Sequence, residues 1–333
     1  MKPEIIETLC IRVPKTEGEL TRKQLIELLL LDNNLKIRSD GGDLLIPVLK
    51  PIEGLGILET DIFEIAQHQN PLARVPGAYE LIGDIAIIDQ HEENAPEIAK
   101  VLLQHKNIKT IFQATSAVCT EFRTRELIFI AGEEKTETIY RENGCKYLLD
   151  VTSVYFTPRL STERMRITDQ VKNGDKVVDM FAGIGPFSIL IAKRYPDTHV
   201  IAVDKNPVAI KFLRENARLN KIKNMEIREG DAKDEVKGIS DADHVIMNLP
   251  HSGLEFLDSA FGIIKRGGTI HFYAISHEDD LFDGLTGEIE AYARKACLRV
   301  LPLDRRIVRP YAPYQYNICI DFQVSHIFKS RIL

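Results

Sequence analysis

The sequence predicts an α/β fold whose C-terminal half is a doubly wound parallel sheet, preceded by an α+β segment and a small α/β module. Three observations carry this prediction. From about residue 166, short apolar runs alternate with amphipathic ones: KVVDMF, PFSILIAKRY, HVIAVD, PVAIKFLRENARLN, MEIREGD and HVIMNLP. That alternation is the mark of βαβ units. The strand-like runs end on polar residues, in order Asp179, Asp204, Asp231 and Asn248, as expected if strand ends open into one crevice. Upstream, shorter strand-like stretches are mixed with single helices and show no such regular alternation.

Taken in order, TLCIRV reads as a strand, TRKQLIELLLLDN as a helix, and the residues around SDGGD as a hairpin in which Gly41 and Gly42 supply positive φ. Pro51, Gly54, Gly56, Pro71, Pro76 and Gly77 punctuate the next stretch and mark a linker. YELIGDIAIID opens a second segment, with a helix near Pro96–His105 and strands in TETIYRENGCKYLLDV. The expected division is a module at 1–65, a linker at 66–77, a middle domain at 78–165 and the parallel-sheet domain at 166–333.

Bulk properties set the limits. The 333 residues suffice for two or three domains, and 44% hydrophobic with 28% charged residues is ordinary globular composition. MKPEIIETLC is too acidic for a signal peptide, and no run approaches the ~18 apolar residues of a membrane span. Five scattered cysteines without a CxxC pair indicate neither a disulfide framework nor a zinc site. A cytoplasmic protein without a metal centre is expected. A net charge of −6 argues against a general nucleic-acid coat and against a DNA partner. Against that average, residues 294–309 gather Arg294, Lys295, Arg299, Arg305, Arg306 and Arg309 against Asp304 alone. The run is either a solvated face or a phosphate-contacting surface.

VVDMFAGIGPFS places Asp179 at a strand end, followed by Gly183 and Gly185, where backbone can approach a ligand without side chains intervening. The full GxGxxG fingerprint is absent. Asp204, 19 residues after Gly185, stands where a carboxylate accepts ribose hydroxyls, and Asp231 where one accepts from an adenine amino group. Asp204 or Asp231 taken singly reads better as a turn or cap residue. Together they select a nucleoside with a free diol and repel a pyrophosphate. S-adenosylmethionine meets those terms. The arrangement resembles the class I, Rossmann-like S-adenosylmethionine-dependent methyltransferases.

A narrower resemblance comes from EFRTREL (121–127), VYFTPRLSTERMRI (154–167), AVDKNP (202–207), NLPH (248–251) and YAPYQY (311–316), in this order. The set resembles the archaeal and eukaryal tRNA (guanine-37-N1) methyltransferases over essentially the whole chain. The resemblance implies Glu163 as general base toward the N1 proton, Arg123 as the cation beside O6, and Tyr155 as a holder of the flipped base. It implies Arg164 and Phe181 as cofactor contacts, with Lys205 and Ala232 beside Asp204 and Asp231. It further implies a monomer that recognises tRNA through its N-terminal module. Asn248 offers a donor and an acceptor to both cofactor and guanine, and Pro250 fixes the loop that holds the pocket open. Without the resemblance, Glu163 and Arg164 read as a surface pair, Arg123 as a partner of Glu126, and Tyr155 as a core aromatic. Alternative functions are a wyosine-pathway aminocarboxypropyl transferase and a non-catalytic tRNA-binding protein. Some similar archaeal enzymes also methylate C7 of the wyosine precursor imG-14, giving imG2. His251 departs from the lysine associated with the single-activity form.

Overall fold

In the computed structural model the described residues are 5–28, 30–32, 35–52, 54–64, 77–116 and 124–326. They fall into two compact units, divided between Pro76 and Gly77. In the first unit, strands β1 (Ile5–Pro14), β2 (Arg38–Asp40), β3 (Asp43–Pro47) and β4 (Ile57–Glu64) form an antiparallel sheet in the order β2-β3-β1-β4. Helix α1 (Gly18–Glu27) adds Leu25 to a core with Ile11, Val13, Leu31 and Ile46. The β2–β3 turn falls at the expected hairpin, with Gly41 at φ 58°. Two local expectations change. The helix stops earlier than its apolar run suggests, because Leu31 bridges to Val48 as extended chain. The breaker-rich stretch contains β4, which pairs with β1 over eight residues.

The second unit begins with β5 (Tyr79–Ile82), β6 (Ile85–Ile88), helix α2 (Ala95–Leu102), β7 (Thr110–Ala114) and β8 (Leu127–Gly132), whose strands make a mixed four-stranded sheet. A hairpin of β9 (Glu137–Glu142) and β10 (Cys145–Asp150) comes after it. A short 3-10 turn at Pro158–Leu160 then leads into helix α3 (Ser161–Thr168).

Next come β11 (Lys176–Asp179), α4 (Pro186–Arg194), β12 (His199–Asp204), α5 (Pro207–Leu219), β13 (Met225–Glu229), α6 (Ala232–Glu235) and β14 (Ala242–Met247). After a 3-10 turn, α7 (Leu257–Ile263), β15 (Ile264–His277), α8 (Asp283–Lys295), β16 (Leu298–Ala312) and β17 (Gln315–His326) complete the unit. The seven-stranded sheet runs β13-β12-β11-β14-β15-β17-β16, with β17 antiparallel to both neighbours. The order reverses at β11, which lies between β12 and β14. That is the switch point at which open α/β sheets bind ligands beyond their strand ends.

Alternation across the strands separates two buried layers. Met247, Phe272, Ile318 and Ile320 face α7 and α8. Ile246, Tyr273 and Cys319 face the other way, in one cluster with Ile167 of α3 and Phe187 of α4. The β9–β10 hairpin is fastened to this domain by two asparagines one turn apart, Asn216 of α5 and Asn220 at its C-cap. Asn216 bonds the Leu148 N–H (2.6 Å) and carbonyl (3.0 Å), and Asn220 bonds those of Lys146 (2.9 and 2.6 Å). Their amides continue the edge of β10 as a further strand would, so its backbone polar groups are not left unpaired. No described helix is long and apolar enough to cross a membrane, and among the described residues no His, Cys, Asp and Glu cluster is set to hold a metal.

Candidate active site

A cleft of about 690 Å³ opens at the switch point, within the range of cofactor pockets. The loop after β11 makes its floor. Gly183 takes φ 56°, a side chain added there would project into open space, and its N–H donates to Asp204 Oδ2 at 2.6 Å. Gly185, at φ 91°, serves packing instead: a Cβ would meet Leu213 at 2.3 Å, so the residue lets α4 close against α5. It does not line the cleft.

Asp204 ends β12 and is fixed by backbone donors, the N–H groups of Gly183 (2.6 Å) and Asn206 (2.8 Å) with that of Lys205 beside them. Burial raises its carboxyl above the ordinary value. Asp231 lines the cleft and also caps α6, accepting from the Lys233 N–H at 2.9 Å. The cap reading and the ligand reading therefore describe the same side chain. Lys205 also faces the cleft, its ammonium 3.9 Å from Asp231, and buried Ala232 lines it. Asp179 stands behind the wall. It is fully buried, and one oxygen accepts from Ser188 Oγ at 2.6 Å. Burial pushes its carboxyl up to about 7.

Phe181 packs edge-on against Phe256 with centroids 4.9 Å apart, and the Lys233 ammonium sits over Phe256. Together they form an apolar wall with a polar rim. This set fits the nucleoside part of S-adenosylmethionine: open space over Gly183, carboxylates on the wall, and aromatic rings.

The expected catalytic residues are placed differently. Asn248, Leu249 and Tyr155 line the same cleft, as does His251, which sits edge-on to Tyr311 with the phenol oxygen 3.3 Å from Nε2. Pro250 is buried and off the wall. Its carbonyl accepts from the Ile275 N–H at 3.2 Å, which pins the NLPH loop to β15. Arg123 lies outside the described residues.

Glu163 and Arg164 are not the surface pair that their helical position allows, since both are buried. Arg164 lines the cleft while bonding Glu142 through both carboxylate oxygens (2.5 and 2.7 Å) and the Thr157 carbonyl (3.1 Å). Glu163 sits behind the wall and accepts from the Tyr273 hydroxyl (2.8 Å) and twice from Arg166 (3.0 and 2.7 Å). Phe256, Tyr273 and Arg166 were missed in the sequence, because only tertiary contact distinguishes them from core or surface residues of the same type. Tyr311 lay within the YAPYQY signature.

In the basic run, Arg294 pairs with Glu290, Arg305 with Asp283, and Arg306 approaches Glu163 at 3.8 Å. Much of that local excess is thus balanced within the fold.

Residues 138–301 match the TRM5/TYW2 methyltransferase domain, 10–56 the tRNA methyltransferase 5 N-terminal domain and 61–136 the TYW2 N-terminal domain. The chain is 45% identical to the tRNA (guanine(37)-N(1))-methyltransferase Trm5b of Pyrococcus abyssi, covering 96% of this chain and 99% of that one. Its crystal structure superposes with a TM-score of 0.68 over the same shares of the two chains. The tRNA (guanine(37)-N(1))/4-demethylwyosine(37)-methyltransferase Taw22 of Nanoarchaeum equitans is 32% identical over 61% of this chain and 86% of its own. The structure of Methanocaldococcus jannaschii TYW2 in complex with AdoMet is 29% identical, with a TM-score of 0.60, and covers 75% of this chain and all of that one. By sequence and by the architecture around its cleft, the chain belongs to the TRM5/TYW2 methyltransferases, among the tRNA (guanine-37-N1) methyltransferases of the Trm5b type.

Proposed function

We propose that this protein transfers the methyl group of S-adenosylmethionine to N1 of guanosine 37 in tRNA. One observation carries the reading beyond family membership: the cleft with Asp204, Asp231 and Asn248 on its wall is also lined by Tyr155, His251 and Tyr311, residues suited to receive an extruded base. When bound, S-adenosylmethionine supplies an electrophilic methyl carbon on a sulfonium. Asp204 and Asp231 recognise its ribose and adenine, and Phe181 covers it. Arg164 also lines the cleft, its guanidinium oriented by Glu142.

Guanine N1 is a weak acid, so it becomes a nucleophile as its proton leaves. Glu163 takes that proton as general base. Asn248 binds the guanine edge, and Tyr155 holds the flipped base. Arg123 stabilises the charge that develops on O6, an interaction stronger in the transition state than in the ground state. The 1–65 module takes part in recognising the tRNA. We place the enzyme in the cytoplasm as a monomer.

The test is single-turnover transfer of labelled methyl to unmodified tRNA with guanosine or adenosine at position 37, with mass analysis of that nucleotide afterwards. Label on N1 of guanosine alone is expected, and no incorporation would refute the reading. Glu163→Gln is expected to slow the step at least about 100-fold. Full activity in that variant would remove Glu163 from its role. The same analysis on tRNA carrying the tricyclic wyosine precursor reads out the second activity.

A further inference from the structure

Behind the candidate base lies a buried polar chain that the reaction as described does not use. Helix α3 presents Glu163 and Arg166 on one face, at i and i+3, and Gln170 follows in the turn after its C-terminal end. Arg166 spends Nε and Nη2 on Glu163. Its outer edge meets Asp321 of β17, through Nη1 to Oδ2 and through Nη2 to Oδ1 at 3.3 Å. Asp321 is buried and also accepts from Gln170 Nε2 (2.8 Å), the Cys319 thiol (3.3 Å) and His271 Nδ1 (2.8 Å). His271 Nε2 lies 3.0 Å from His244 Nδ1, and His244 Nε2 lies 3.4 Å from Asp175. The chain thus crosses β17, β15 and β14.

The other groups facing it are few. Tyr273 and Arg306 approach Glu163, Asp304 lies 3.6 Å from Arg166, and the Asp243–Lys265 pair stands beside His244. Burial opposes the ionised form of Asp321, yet the His271 ring and Arg166 outweigh it and hold this carboxyl well below the usual carboxylate range. Burial and the neighbouring His271 push His244 down to about 3.

One guanidinium therefore hydrogen-bonds two carboxylates, with the half-exposed Asp304 farther off at 3.6 Å, and only one of the two hydrogen-bonded carboxylates is asked to take a proton. If Arg166 rested wholly on Glu163, every hydrogen bond it made would favour the charged carboxylate and resist protonation. A permanently ionised partner on its far edge divides that charge. We propose that Asp321 is a positioning residue for the base: by holding the outer edge of Arg166 it fixes the Glu163 carboxylate and leaves it able to accept the guanine proton. This rests on the reading of Glu163 as the base. His271 and Gln170 hold Asp321 in turn.

The experiment is the pH dependence of single-turnover methyl transfer at saturating tRNA and S-adenosylmethionine, in the full-length protein. Glu163→Gln is measured first, because full activity there would remove the base reading itself. With that reading intact, Asp321→Asn is expected to move the acid limb about one pH unit lower, or out of range, and to lower the plateau about three-fold, leaving KM for tRNA unchanged. Arg166→Lys cannot bridge both carboxylates and moves the limb the opposite way. Asp321→Glu, which keeps the charge, restores the position of the limb.

The limb position is a property of the folded fraction, so partial misfolding of a variant does not obscure it. Limbs displaced in the same direction in Asp321→Asn and Arg166→Lys, or an unmoved limb and plateau in Asp321→Asn, would overturn the proposal.

Discussion

Asp179 is the most informative residue to perturb, because its structure sets both the sign and the size of the effect. Its carboxyl is fully buried at the end of β11, where it accepts from the Ser188 hydroxyl and is approached by the backbone N–H groups of Phe181 and Ser188. Burial, with the nearby Asp204 charge adding to it, raises the group from 3.8 to about 7. A carboxyl raised in the folded state contributes stability that is fully present below its unfolded value and is lost as pH rises through the folded one. The full loss is about 4 kcal/mol, at 1.36 kcal/mol for each unit of pKa, and about 2.5 kcal/mol of it falls between pH 5 and pH 8. Asn at this position keeps the shape and cannot ionise. Denaturant unfolding of the parent and of Asp179→Asn, both free of cofactor, is measured at the two pH values. The stability of Asp179→Asn relative to the parent is expected to improve by about 2.5 kcal/mol on going from pH 5 to pH 8, all other titrating groups cancelling. A difference that stays constant, or grows in the opposite direction, would refute the reasoning.

Contacts of the second unit set the remaining expectations. Asn216→Ala removes bonds to the Leu148 N–H, its carbonyl and the Ile184 carbonyl in a fully buried position, and denaturant unfolding should show a loss of about 3–5 kcal/mol. Gly185→Ala combines a positive φ with a clash against Leu213 and should cost about 2–4 kcal/mol of stability. Gly183→Ala meets no neighbouring atom, so beyond its own backbone strain of about 1 kcal/mol it should act through a raised KM for S-adenosylmethionine, read in initial-rate kinetics. Arg164→Ala strands the buried Glu142 carboxylate and should lower stability by about 3–5 kcal/mol, so that its loss of activity is accompanied by a lowered unfolding midpoint.

The regular part of the fold was legible because a buried parallel sheet makes each strand an apolar run and each helix an amphipathic one, and this chain keeps that alternation from residue 166 to 248. The strand-end residues were legible for the same reason, and Asp204, Asp231 and Asn248 do line one cleft. Beyond Asn248 the pattern failed as a guide. Strands β15 to β17 are long, and β17 runs antiparallel to its neighbours. Their polar residues, His271, Asp321 and Asn317, are buried in ways that no periodicity announces.

The sequence by itself therefore determined the fold class, the family and the order of the ligand-facing strand ends. All three come from spacing along the chain and from short signatures. Tertiary structure alone decided the division of labour among like residues. Gly183 opens the cleft while Gly185 packs a helix, and Asp179 is buried behind the wall on which Asp204 stands. Arg164 is committed to Glu142, and Glu163 is tied through Arg166 to an aspartate 155 residues further along the chain from that arginine. The physical reason is that burial and partnership, which set a side chain's charge and orientation, are made by contacts between strands and helices distant in sequence.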